Sequence, residues 1–491
     1  MVFINYFTIL FLKCQLLNKG ASFVDHNLTT FTAGSRELDE IIGEIKPRTM
    51  LLVVGHPGAG KTSFASQVCY ANTLKGKKCL YMTFYEDKEK LFRHMERLGI
   101  KLFEAESKGL FEYLKLPVAS TDEILKIIAD KLSKTPYDVV VVDSVNAAIE
   151  LIENTRAQRA VLLNFFYQLV NAINGLLVVI AEIPLGKEAV ELGAIEFIAD
   201  IVIYLKHRIT RGLITRMMEL RKIRGAPLMV AEIPFSIVES QGFKVYMPPR
   251  PQRVIGGGEL LRTTLRFTKS TIGYVRRGDV VYVVYPPKAR VPVVLLPFVD
   301  LLISNNIRGV FISYRFSTDE SREAFINALT KFTGLSREDS SRVVDRYLHL
   351  ESLNPTSATI THLHAITVEL LEALNVDVVM FHGVEIFSVL GAPEEYWTSL
   401  INELYWLKNK GKLVVRFSSK PSHHWYRTNV SLSDVIFELN YKHVDGKLIP
   451  LIYSWGRGRD PVMFELSDAV IAELKEDFKK LLAILQPSKP G

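Results

Sequence analysis

Between Met50 and about Leu205 the apolar positions come in short unbroken runs rather than in alternation. "MLLVVG" (50–55), "CLYMTF" (79–84), "DVVVVD" (138–143), "LLVVIA" (176–181) and "DIVIYL" (200–205) are each bounded by polar residues. Runs rich in Val, Ile and Leu with no polar face predict strands buried on both sides, as in a parallel sheet covered by helices. Between the runs the pattern switches to a helical period. "DKEKLFRHMERLG" sets Leu91, Met95 and Leu98 on one face and stops at Gly99, a residue suited to a left-handed helix end. "STDEILKIIADKL" places Ser120 and Glu123 at capping-box spacing ahead of Ile124, Ile128 and Leu132. "RAQRAVLLNFFYQLVNAI" repeats Leu162, Phe166, Leu169 and Ile173. This alternation predicts an α/β layered domain, and "LITRMMELRKIRG" with "LMVAEIPFSIV" predicts two antiparallel strands that complete its sheet.

The same grammar then begins again. "MPPRPQRVIGGG" (247–258) is rich in proline and then in glycine, as an interdomain linker is. Beyond it, "GDVVYVVYPPKARVP", "GVFISYRFSTDES" and "VDVVMFHGV" repeat the first strands and turns in order. Gly55 to Tyr285 and Leu80 to Val310 are both offsets of 230, Asp143 to His382 is 239 and Arg224 to Arg457 is 233. A duplicated domain explains these offsets, and 491 residues exceed what one hydrophobic core organises. The expected organisation is an apolar extension (1–21), a first domain (22–246), the linker (247–258) and a second domain (259–491).

Composition narrows the picture modestly. With 48% hydrophobic and 23% charged residues, the chain has the balance of a globular protein and not of a disordered one. The net charge of +7 is spread among interleaved acids without a long basic run, so a nucleic-acid partner is not favoured. Cys14, Cys69 and Cys79 show no CxxC or cysteine–histidine spacing, which predicts neither a disulfide framework nor a zinc site and suits a reducing cytoplasm. The opening "MVFINYFTILFLKCQLLNKG" is broken by Asn5 and Lys13, short of the roughly 20 apolar residues that span a bilayer. It reads as an extra amphipathic segment or the product of an upstream start codon, with a peripheral anchor as the alternative, and no transmembrane segment is expected.

Chemistry concentrates at "GHPGAGKTS", Gly55 to Ser63. Gly55, His56, Pro57, Gly58, Ala59, Gly60, Lys61 and Thr62 match GxxxxGK[ST] in full, after an apolar strand and before a helix. Glycines let backbone N–H groups turn toward phosphate oxygens, and the helix adds its N-terminal partial charge. Lys61 suits the β/γ-phosphates of ATP, and the Thr62 hydroxyl suits Mg²⁺. Asp143, closing a run of four valines, is the acidic strand end that a magnesium-bound nucleotide requires.

Phe31 to Phe243 resembles the KaiC-like branch of the RecA superfamily of ATPases. The resemblance rests on "FTAGSRELDEIIGEIKPRTMLLVVGHPGAGKT", with its Gly-x-x-x-Leu-Asp lead-in, and on "EFIADIVIYL" and "ELRKIRGAP", with their Lys-x-Arg-Gly element. It implies two RecA-like three-layer α/β domains with mainly parallel central sheets. It also implies a ring-like homo-oligomer, usually a hexamer, with ATP between subunits. By position, Lys222 and Arg224 then reach the neighbour's γ-phosphate as an arginine finger.

Two departures temper the activity this resemblance implies. Relatives carry Phe-Glu-Glu after the second strand, with the first glutamate as the base that activates water; here Tyr85 takes its place and Glu86 follows. A tyrosine, with a pKa near 10, is a poor base at neutral pH, so Glu86 is the candidate base and hydrolysis is expected to be slow. Ile180-Ala181-Glu182 stands where relatives often place hydroxyls that sense the γ-phosphate. In the second domain Lys288, Arg290, Val291 and Pro292 replace Gly58, Gly60, Lys61 and Thr62, and His382 replaces Asp143, so that domain is expected to be degenerate. Two-domain chains of this kind resemble KaiC-like regulators from archaea. The expected function is an ATP-binding, slowly hydrolysing oligomeric switch in regulation, with an unidentified protein partner. The alternatives are a recombinase-type DNA-processing ATPase and a scaffold that binds ATP without turnover.

Overall fold

The valine- and leucine-rich runs form the middle of two sheets in the computed structural model. It describes residues 30–117, 119, 121–146, 165–183, 195–210, 212–226, 232–246, 258–287, 292–390, 393–456 and 458–483. The extension 1–21, Ser120, Leu162, linker residues 247–257, Lys288, Arg290, Val291 and Arg457 lie outside the described residues. The chain divides into two compact units between Met247 and Pro248.

In the first unit the strands are β1 (Thr49–Gly55), β2 (Cys79–Thr83), β3 (Phe111–Lys115), β4 (Val139–Asp143), β5 (Leu176–Glu182), β6 (Ile201–Thr210), β7 (Leu213–Ile223), β8 (Glu232–Val238) and β9 (Gly242–Val245). They lie in the order β3-β2-β4-β5-β1-β6-β7-β8-β9. Neighbours from β3 to β6 are parallel and those from β6 to β9 antiparallel. Side chains alternate between two buried faces: Leu51 and Val53 join Phe64 on one, Leu52 and Val54 join Phe166 on the other. Helices on both faces explain why β1 reads as an unbroken apolar run. The periodicity misses β3, an edge strand of which only Phe111 is fully buried, and β9, four residues long.

The helix Lys61–Thr73 buries Phe64, Ala65, Val68 and Cys69 against the sheet. No disulfide framework is expected from the spacing, but one bridge is present: Cys69 is joined to Cys79 at the start of β2, with Cα atoms 5.9 Å apart. The pair is brought together by helix-on-sheet packing, which sequence spacing does not record. The helix Lys88–Arg97 buries Leu91 and Met95, and Gly99 follows at φ 78° as its pattern predicts.

The second unit contains β10 (Val280–Tyr285), β11 (Gly309–Ser313), β12 (Leu348–Ser352), β13 (Val378–His382), β14 (Leu413–Ser419), β15 (Val435–Val444), β16 (Lys447–Gly456) and β17 (Arg459–Glu465). Their order, β12-β11-β13-β14-β10-β15-β16-β17, repeats that of the first sheet strand for strand as far as β8. The two units thus share one RecA-like α/β architecture. Among the described residues no helix is long and apolar enough to cross a membrane.

Candidate nucleotide site

The site is built where β1, β4 and β5 end. β1 lies between β5 and β6, and Gly55 is level with Glu182 on one side and Leu205 on the other. A Cβ at Gly55 would stand 2.4 Å from the Leu205 carbonyl oxygen, so the neighbouring strand itself demands glycine. The loop then turns through left-handed Gly58 and Gly60, at φ 78° and 101°. Pro57 and Gly58 are exposed at its crest, Ala59 is buried beneath it, and Lys61, Thr62 and Ser63 open the helix.

Lys61 is buried, and its Nζ donates to the His56 carbonyl at 2.9 Å and lies 3.3 Å from Glu182 Oε1. The His56 ring extends the same network, with Nδ1 3.1 Å from the Ile183 carbonyl oxygen. Asn146 clamps the end of β5: its Oδ1 accepts from the Glu182 amide at 2.7 Å and its Nδ2 donates to the Glu182 carbonyl at 3.0 Å. On the other side Thr62 Oγ1 donates to Asp143 Oδ2 at 2.9 Å, and the Tyr81 hydroxyl donates to the same oxygen at 2.8 Å. Asp143 is only 8% exposed. Burial pushes its pKa up, opposed by the hydrogen bonds from Tyr81 and Thr62 and by the charge of Lys61. Burial, followed by the Asp143 charge, pushes the Tyr81 hydroxyl well above its ordinary pKa, so it remains a donor.

These groups suit a triphosphate with a hard cation: a glycine turn, a buried lysine, and a hydroxyl–carboxylate pair of oxygen ligands. Beside Thr62 and Ser63 lies a cavity of about 340 Å³, walled by Glu86, Leu91, His94, Met95, Arg97 and Leu98. Glu86 therefore stands on the wall of the space next to the loop. Its backbone is held by the Tyr113 hydroxyl, which donates to its carbonyl, and its carboxylate lies 3.9 Å from Lys90 Nζ. Asp87, not Glu86, is the N-cap residue of the following helix. Tyr85 is 62% exposed, and its ring occupies no core position.

Lys222 and Arg224 come together elsewhere. Both lie at the end of β7, which β6 separates from β1. Lys222 Nζ donates to the Glu196 and Phe197 carbonyls at 3.0 Å each. Arg224 pairs with Asp200 at 2.9 Å, and its Nη2 reaches the Phe197 carbonyl at 3.4 Å. Burial and the neighbouring Arg224 charge lower the Lys222 pKa. Arg221 is engaged separately, stacked 3.4 Å over the Tyr204 ring and paired with Glu219.

Residues 31–250 match the family model for the KaiC ATPase. The first unit is a KaiC-type ATPase domain. Similar curated proteins include the circadian clock oscillator protein KaiC of Rippkaea orientalis, 25% identical over 198 residues. The alignment covers 40% of this chain and 38% of that relative. The circadian clock protein KaiC3 of Synechocystis is 26% identical over 225 residues, or 45% of this chain and 44% of the relative. The chain thus spans less than half the length of these relatives.

Strand for strand, the second unit carries different chemistry at the ends matching those of the KaiC-type domain. His382 ends β13 where Asp143 ends β4. Its ring stacks on Phe311 at 5.4 Å and packs on Phe316 at 4.7 Å, with Nδ1 3.0 Å from Ser313 Oγ. Burial, and then the Arg315 charge, bring its pKa down to about 4, so it is neutral at pH 7. After β10 come Pro286 and Pro287, and Pro292 opens a 3₁₀ turn into the helix Leu296–Asn305. Prolines have no N–H to offer a phosphate.

Sequence reasoning missed Tyr81 and Asn146. Asn146 carries no legible signal, because its partner is backbone 36 residues away. Tyr81 does: a tyrosine inside a strand buried on both faces must find a partner for its hydroxyl.

Proposed function

We propose that the first unit binds Mg²⁺-ATP, hydrolyses it slowly, and uses nucleotide state to control assembly of identical chains into a regulatory switch. One observation carries this reading: Lys61, Thr62 and Asp143 converge at the ends of parallel strands, where ligands of open α/β sheets bind. Backbone N–H groups of the loop and Lys61 hold the phosphates. Thr62 ligates the cation directly, and Asp143 holds it through water. Glu86 serves as the base, and exposed Tyr85 in the preceding position accounts for slow turnover. Lys222 and Arg224 act on a neighbouring subunit's nucleotide, a reading supported by their distance from their own loop across β6. The second unit, with His382 and prolines at the matching ends, is a degenerate copy retained for assembly or contact with a protein partner.

The test is phosphate release by the purified chain, with and without DNA, alongside its mass in solution. The expected result is slow release, indifferent to DNA, and a mass that rises when Mg²⁺-ATP is added. Fast release stimulated by DNA would favour the recombinase-type reading instead, and a chain that stays monomeric with ATP would reject the switch.

A further inference from the structure

We infer that Tyr81 is a positioning residue for the cation site: its hydroxyl holds Asp143 in the orientation that lets Thr62 present its oxygen to Mg²⁺. This rests on the Mg²⁺-ATP reading above and adds to it a residue that makes no contact with the nucleotide.

The geometry begins in the sheet. β2 and β4 are parallel neighbours, with Tyr81 level with Val141 and Thr83 level with Asp143. Tyr81 therefore lies one residue pair below the strand end, on the face that packs against the helix Lys61–Thr73. Its ring is fully buried in the cluster that holds Phe64, Phe92 and Phe111. From there the hydroxyl points up to Asp143 Oδ2 at 2.8 Å. Thr62 Oγ1 reaches that same oxygen from above at 2.9 Å. Among the described residues no donor reaches Oδ1.

The direction of these bonds follows from the groups. An ionised carboxylate only accepts, so both hydroxyls donate. A threonine hydroxyl that donates its hydrogen bond to Asp143 keeps its lone pairs for a cation. That polarity survives only while Oδ2 stays within reach of Thr62, and a carboxylate can rotate about its Cα–Cβ and Cβ–Cγ bonds. Tyr81, locked by packing, removes that freedom. Partners of this kind, one step behind a metal's ligands, typically change metal affinity by about 10–100-fold. A tyrosine that merely needed a hydrogen-bond partner would contribute to folding but not to the dependence on Mg²⁺.

Tyr81→Phe removes one oxygen and leaves the ring. Mg²⁺ is titrated at saturating ATP and read as thermal stabilisation, and ATP affinity is measured separately in EDTA by calorimetry. The expected result is an Mg²⁺ midpoint raised about tenfold, with EDTA affinity within about twofold of wild type. In an Asp143→Asn background, Tyr81→Phe should move the midpoint no further. A folded Tyr81→Phe protein with an unchanged midpoint overturns the inference. So does an EDTA affinity that falls in parallel, or an undiminished effect without Asp143. A Tyr81→Phe protein that fails to fold makes the residue structural and overturns the inference. Wild-type binding that ignores Mg²⁺ or is unaffected by Lys61→Ala overturns the Mg²⁺-ATP reading itself, and this inference with it.

Discussion

At the end of β4 a buried carboxylate gathers two hydroxyls beside a glycine loop; at the end of β13 a neutral imidazole packs on two phenylalanines. The strands leading to these ends are nearly interchangeable, "VVVVD" and "VVMFH", each buried almost to its last residue. Strand order depends on those apolar runs, and from β3 to β8 the second unit repeats it. Nucleotide chemistry depends on the few residues past the strand ends, where the units differ. The frame can therefore persist while the site is replaced, and the second unit remains well packed without any part of a phosphate cradle among its described residues.

Lys61→Ala gives the sharpest test of that contrast. Losing the charge-assisted contact to the phosphates should abolish ATP binding, because the described residues of the second unit form no phosphate cradle. Calorimetry should show one ATP per wild-type chain and none in the variant; residual binding would locate a second site beyond β13.

Next in size is Arg224→Ala. A finger delivered to a neighbour contributes about 10³–10⁵-fold to turnover in related chemistry, so the variant should be nearly inactive. Mixing it with Lys61→Ala chains should restore part of the activity, since some interfaces regain one intact loop and one intact finger. A mixture no better than its components would return Lys222 and Arg224 to the structural role they have against Phe197 and Asp200.

Glu86→Gln should cost about 10²-fold or more in turnover while leaving ATP affinity intact, as expected for a lost general base. Tyr85→Glu should accelerate hydrolysis, because it places a carboxylate where the resemblance expects one. Single-turnover phosphate release distinguishes the two variants, and a fast wild type indifferent to Glu86→Gln would place the base elsewhere.

The last effect is on stability rather than turnover and concerns His382. Its folded pKa of about 4 lies below the ordinary value of 6.5, so in that window the unfolded chain binds a proton that the folded one does not. Stability of the second unit should be complete above pH 6.5 and fall by up to about 3 kcal/mol as pH drops toward 4. All four tryptophans (397, 406, 425 and 455) lie in this unit, so their fluorescence reports its unfolding alone. His382→Asn should flatten the slope across this window.

Much of the frame was legible because burial on two faces leaves unbroken apolar runs, and the loop from Gly55 to Thr62 was legible because its chemistry is local. Other features were not, for the opposite reason. The lysine–glutamate pair at residues 61 and 182, the Tyr81–Asp143 bond and the Cys69–Cys79 bond each join elements that only the folded sheet brings together. Edge strand β3 escaped notice because its solvent-facing residues dilute the apolar signal.

The lysine of the phosphate loop is not a bare charge waiting in water. It is already held by the His56 carbonyl and accompanied by the Glu182 carboxylate, 3.3 Å away. Any anion that claims Lys61 must contend with this resident one, so a measured affinity is the difference between two associations. What the protein senses on binding is an exchange of partners, one held within the chain and the other supplied from solution.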